Sequence, residues 1–409
     1  MNLGQFIVVH WASIRGLILC AAAAPLAYYL ATLLCGWDFF RHGSQARADF
    51  LPGVSLLKPM KGLDRETYEN LASFCRQDYP QFEILFGFSH PQDAAVPVVK
   101  KIMADFPGVC IRMLTGTREQ GANNKVAKLC GLARVAQYDL LVVSDSDTRV
   151  GANYLRRIAA PFSDSRLGAA TSVYRGMAAP NPWSELEALS LSTEFIPSAL
   201  VARKLGMKFA LGATMAVRRQ ALEAIGGFES LADMAADDHE LGRRVAAQGY
   251  GVEFVDGAVC TECGSRSFRE YFRHQVRWSV VTRESKPWGH FGFIFAQGLP
   301  WTILAADLSP TLALAAGFIA AYLVLRFAVA FTVGAWGLHD PLLKGKWWWA
   351  PISDALSFLV WSASLFTRRV YWQGVAYDVR RGRLLPAAPD PIPTKGIEDQ
   401  KIEARQWTD

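Results

Sequence analysis

The chain has no long run of like charge, no internal repeat, and only one close pair of cysteines in its 409 residues. Each absence excludes something. Seven scattered cysteines fit free thiols in a reducing compartment and not a disulfide framework. Cys260-Thr-Glu-Cys263 has zinc-ligand spacing, but a structural zinc needs two more ligands, and no second Cys or His pair lies nearby. Without a repeat, solenoid and propeller architectures drop out. The net charge of +6 is modest and gathers beside apolar segments, so anionic lipid headgroups explain it better than nucleic acid.

Apolar residues are abundant, at 51% of the chain, and are unevenly spread. They concentrate in Gly16 to Gly36, Phe291 to Trp336 and Trp347 to Phe366. The first run is long enough to cross the hydrocarbon and continues past the small residues Ala21 to Ala24, which favours an uncleaved anchor over a signal peptide. The second is long enough for two crossings, with Ser309-Pro310 as the break between them. The third opens on three tryptophans, as expected at a membrane interface, but Ser353-Asp354 makes it a poorer crossing, and a re-entrant or interfacial segment is the alternative. Arg41, Arg47, Lys58 and Lys61 follow the first run, and Arg273, Arg277, Arg283 and Lys286 precede the second. This bias places the region between them in the cytoplasm, and a bacterial inner membrane is the expected location.

From about residue 53 to 285, strand-like and helix-like segments alternate. Val54 to Leu57, Glu83 to Ser89, Val109 to Leu114 and Asp139 to Ser144 are short apolar runs. Helical patterns separate them, over Tyr68 to Arg76, Val96 to Asp105 and Val126 to Ala136. The alternation predicts an α/β fold with a mostly parallel sheet, whose ligands bind beyond the carboxyl ends of the strands. Asp145 and Asp147 fall at such an end, one residue apart. Two hard oxygen ligands there suit a divalent cation, which in turn neutralises a diphosphate. The other reading is an Asx pair capping a turn. Asp93 follows an earlier strand, Asp237-Asp238 opens a helix, and His274-Gln-Val-Arg277-Trp278 lies on a helix begun by a capping box at Ser267 to Glu270. Trp183 to Gly206 reads as a half-buried helix at the membrane surface, and the Pro-rich tail from Pro386 as disordered. The expected boundaries are an anchor and linker over 1–51, a catalytic domain over 52–290, a membrane region over 291–370 and a polar, partly disordered tail over 371–409.

The order of these motifs resembles the inverting glycosyltransferases with the Rossmann-like GT-A fold, over roughly residues 52 to 290. Leu57-Lys-Pro-Met-Lys-Gly-Leu-Asp64, Gln77-Asp-Tyr-Pro80, Ala122-Asn-Asn-Lys125 and Ser144-Asp-Ser-Asp-Thr-Arg149 narrow the resemblance to ceramide glucosyltransferases and to hopanoid-associated bacterial enzymes. The chain departs from the family at His274, where Gln or Arg is usual. The resemblance implies a UDP-sugar donor, a membrane lipid acceptor met at the bilayer, and Mg²⁺ or Mn²⁺ on Asp145 and Asp147. Asp93 would contact uridine, Lys125 the nucleotide or diphosphate, and His274, Arg277 and Trp278 would complete the donor site. Asp238 would be the general base, and no nucleophile is needed. Processive polysaccharide synthases share the motifs but usually carry more membrane helices. Dehalogenase-type phosphatases place Thr or Val where Arg149 stands.

Overall fold

A computed structural model describes residues 13–43, 49–116, 121–372 and 375–387. Helix α1 (13–21) leads into α2 (Ala24–His42). There follow β1 (Val54–Pro59), α3 (Thr67–Cys75), β2 (Phe82–Phe88), α4 (Val96–Asp105), β3 (Cys110–Thr115), α5 (Asn124–Val135) and β4 (Leu140–Ser144). Strand ends and helix ends in this half differ from the sequence expectation by a residue or two. The agreement is that close because β1, β2 and β4 are covered on both faces and so read as nearly continuous apolar runs. Fully buried Lys58 in β1 and Glu83 in β2 are the charged residues within these runs.

The second half adds β5 (Thr148–Arg149), α6 (Tyr154–Ala159), β6 (Leu167–Ala178), α7 (Pro182–Ser190), α8 (Ile196–Lys204), β7 (Thr214–Arg218), α9 (Arg219–Ala224), α10 (Asp237–Ala247), β8 (Gly251–Cys263) and α11 (Phe268–Ser285). The eight strands form one sheet in the order β3-β2-β1-β4-β7-β6-β8-β5. β1 to β4 are parallel, β7 runs antiparallel to both its neighbours, and β6 and β8 are parallel to each other. The capping box before α11 is modified. Ser267 accepts from the Glu270 amide, while the Glu270 carboxylate takes the Arg266 amide and not that of Ser267.

The C-terminal region adds α12 (Pro287–Gly292), α13 (Gly298–Leu308), α14 (Leu312–Val329), α15 (Leu343–Lys346) and α16 (Ala350–Ser364). Ser13–His42 and Leu312–Gly337 are each long and apolar enough to cross a membrane, and the pair 287–308, bent by 48°, would make a third span if it counts as one. A break does fall at Ser309-Pro310. α16, at 15 residues, is shorter than a span. Its Asp354 is buried against Arg326 of α14 at 2.7 Å.

Trp183 to Gly206 is helical over most of its length, in three pieces. α7, a π-helical stretch Leu191–Phe195 and α8 pack between the sheet and the membrane helices. Pro197 has no amide hydrogen to offer the carbonyl of Thr193, four residues earlier, and Arg326 donates to that oxygen instead at 2.9 Å.

Residues 371–372 and 375–386, assigned from sequence to a polar tail, are structured. β9 (Arg369–Trp372), β10 (Val375–Arg380) and β11 (Arg383–Pro386) form an antiparallel sheet in the order β11-β10-β9. Val370, Tyr377, Val379 and Leu384 bury against Val280 of α11. Residues 388–409, including most of the expected disordered tail, lie outside the described residues.

Candidate active site

The site lies where β1, β2 and β4 end. β4 stops at Ser144, and Asp145 to Asp147 form a tight turn closed by the Thr148 amide on the Asp145 carbonyl at 3.2 Å. Buried Lys58 reaches under this turn to the same carbonyl at 2.6 Å, with its ammonium 3.8 Å from the centre of the Phe74 ring. Burial pushes its pKa down to about 7 against the pull of the nearby acids. From the other side, Thr261 of β8 donates to Asp147 at 3.2 Å.

Asp147 carries the excess charge of the site. Burial, then Asp145, then Asp64, push its pKa up to about 7. Its Oδ1 is buried and has no hydrogen-bond partner. Asp64, which accepts from Ser146 at 2.9 Å, is also raised, mainly by burial. An orphaned carboxylate oxygen among like charges fits a hard cation. Among the described residues no three acidic, His or Cys groups form a metal cage. Asp145 and Asp147 would therefore supply part of a coordination shell that leaves room for water and phosphate oxygens.

Lys125, in the first turn of α5, joins the two acidic groups of the site. Its ammonium is 2.7 Å from Asp145 Oδ1 and 3.7 Å from Asp237 Oδ2. At an effective dielectric near 20 these contacts are worth about 6 and 4 kcal/mol, which offsets a desolvation cost of several kcal/mol. Burial alone would lower its pKa, but Asp145 and Asp237 hold it well above the ordinary lysine value. Buried Asn123 caps α5 through the Lys125 and Val126 amides and donates to the Met234 carbonyl at 2.8 Å and to Asp237 at 3.3 Å. It thereby links the Lys125 turn to the start of α10.

Asp238, in the first turn of α10, is raised to about 6 by burial and by neighbouring Asp237. Its Oδ1 accepts from the His239 amide at 2.7 Å. A Cβ on Gly212 would lie 2.9 Å from its Oδ2, so the glycine keeps that oxygen open. Asp93 sits farther out. It accepts from the Gly62 amide at 3.0 and 3.1 Å and from the Ala95 amide at 2.9 Å, tying the exits of β1 and β2 together.

His274, Arg277 and Trp278 share α11. His274 Nδ1 lies 2.6 Å from Oε1 of buried Glu187 on α7. Burial pushes the Glu187 pKa up, but the His274 bond and charge outweigh it and the net shift is downward. Burial lowers Arg277 to about 10, opposed by the charge of Glu187. Trp278 packs on Phe195 and on the His274 ring. Sequence reasoning missed Lys58, Asp64, Asn123 and Glu187. Lys58, Asp64 and Asn123 sit inside motifs it quoted, whereas nothing in the sequence marks Glu187.

A mostly parallel sheet of this order is that of a glycosyltransferase of the GT-A type. The chain belongs to Glycosyl transferase family 21, which it matches over residues 17–385. It is 26% identical over 229 residues to ceramide glucosyltransferase 1 of Caenorhabditis elegans, covering 56% of this chain and 49% of that protein. Ceramide glucosyltransferase 3 of the same organism is 27% identical over 253 residues, or 61% of this chain and 55% of that protein. The chain thus spans about half the length of these curated relatives. The fold is shared with a mannosyltransferase of Pyrobaculum calidifontis solved with GDP-mannose and Mn²⁺, at a TM-score of 0.51 and 18% identity, covering 85% of this chain and 99% of that one.

Proposed function

We propose that the chain transfers one sugar, glucose or N-acetylglucosamine, from a UDP-sugar to the hydroxyl of a membrane lipid of ceramide or hopanoid type, with inversion. The main support is that Lys125 lies 2.7 Å from Asp145 and 3.7 Å from Asp237, so the carboxylate read as facing the diphosphate shares a lysine with the neighbour of the residue read as the base. Asp93 borders the uridine, and Lys125, His274, Arg277 and Trp278 face the donor. Asp145 and Asp147 would hold Mg²⁺ or Mn²⁺, which would supply positive charge to offset that of the departing diphosphate. Asp238 takes the proton of the lipid hydroxyl, a task suited to a carboxylate raised to about 6. The bond from the anomeric carbon to diphosphate breaks as the bond to the lipid oxygen forms on the opposite face. One displacement with one base inverts that carbon. The catalytic domain faces the cytoplasm, where UDP-sugars are available, and the lipid enters sideways from the bilayer.

The test is a radiolabelled transfer assay on membranes that carry the protein. UDP-glucose and UDP-N-acetylglucosamine are each offered with ceramide and hopanoid acceptors. Label in a lipid fraction with one of these pairs is expected, and no transfer to any lipid would reject the proposal.

A further inference from the structure

We propose that Trp372 is a positioning residue for donor binding: through this indole, the C-terminal sheet holds Arg277 flat and un-neutralised for the diphosphate. The proposal rests on the reading of Arg277 as a donor ligand. Arg277 forms no ion pair among the described residues, although Glu187 is close enough to influence its charge. That carboxylate is already engaged by His274 at 2.6 Å and by the Ser265 amide at 3.3 Å. The guanidinium carbon lies instead 5.9 Å from the centre of the Trp372 ring. An aromatic face orients a guanidinium while leaving its N–H edges free, whereas a carboxylate partner would occupy them.

Trp372 is itself held firmly. It pairs with Val375 across the β9–β10 ladder, and it packs against the Val280, Val370 and Val379 cluster. At its far end the same sheet grips the loop ahead of the base. The Leu384 amide donates to the Asp233 carbonyl at 2.8 Å, and the Ala235 amide to the Gly382 carbonyl at 2.8 Å. Asp233 in turn accepts from the Ala122 amide at 3.0 Å, next to the Asn123 cap. A segment downstream of every recognised motif therefore fixes Arg277 and the approach to Asp237 and Asp238 together.

The experiment uses the full chain in nanodiscs, measuring UDP affinity by calorimetry and steady-state kinetics with the UDP-sugar. Trp372→Ala should weaken UDP binding and raise donor KM by about tenfold with a smaller effect on kcat, and Trp372→Phe should recover most of it. Leu385→Ala, at an exposed position of β11 in the same sheet, should leave both unchanged. In an Arg277→Ala background, Trp372→Ala should add nothing. Unchanged UDP affinity in Trp372→Ala, or the same added loss without Arg277, would overturn the proposal while leaving the functional reading intact. A wild-type chain that binds no UDP would overturn both.

Discussion

Glu187 and His274 meet at 2.6 Å, joining a buried acid of α7 to the position where related enzymes are expected to carry Gln or Arg. The distance implies that the partner of Glu187 matters more than the imidazole itself. A glutamine amide can donate to the same carboxylate, but an alanine cannot. His274→Gln should therefore keep most stability and activity, while His274→Ala loses about 1–3 kcal/mol by leaving Glu187 unpaired. Thermal midpoints of the two variants check this, and equal losses would contradict it.

Asp147 is crowded by Asp145 and Asp64, so its charge opposes folding when no cation is present. Asp147→Asn should keep or raise the thermal midpoint in EDTA, yet lower transfer by orders of magnitude. Asp145→Asn should also lose transfer, and chelation of the wild type should mimic both. Full activity in excess EDTA would remove the two-carboxylate cation site.

The proposed base gives a signed pH dependence. Asp238 is protonated below about 6 and able to accept a proton above it, so turnover should climb as pH rises through about 6. Asp237→Asn removes the like charge beside it and should move that climb to lower pH. Asp238→Asn should abolish transfer while UDP-sugar binding stays nearly intact. An inactive Asp237→Asn with an active Asp238→Asn would reverse the assignment.

Cys110 is an exposed native thiol on β3 and reports on orientation. In intact cells a membrane-impermeant thiol reagent should label it only after the membrane is opened, with Cys110→Ser as the control. Labelling of closed cells would place the catalytic domain outside, away from UDP-sugars.

The first half of the sheet was legible because its central strands are covered on both faces and its helices have one apolar stripe. β8 was not, since Glu253, Asp256 and Glu262 interrupt a strand whose residues are mostly half-buried. The C-terminal hairpin was missed for a different reason. Its turn uses Arg381-Gly382, with φ of 51° and 76°, where Asn-Gly or Asp-Gly would have been the sequence signal. In the site, the acids stood out by their place after apolar runs. Lys125 was legible within its motif, but Lys58, buried inside a strand, and Glu187, the partner of His274 on an ordinary helix, are recognised only from what they touch.

The most direct measurement is the structure of the product itself. Membranes bearing the protein would be supplied with an α-linked UDP-sugar and a lipid acceptor, and the extracted lipid analysed by mass spectrometry and NMR. A lipid carrying one β-linked sugar is the expected product. A polysaccharide, an α-linkage, or transfer to a soluble acceptor with no lipid requirement would contradict single inverting transfer at the bilayer.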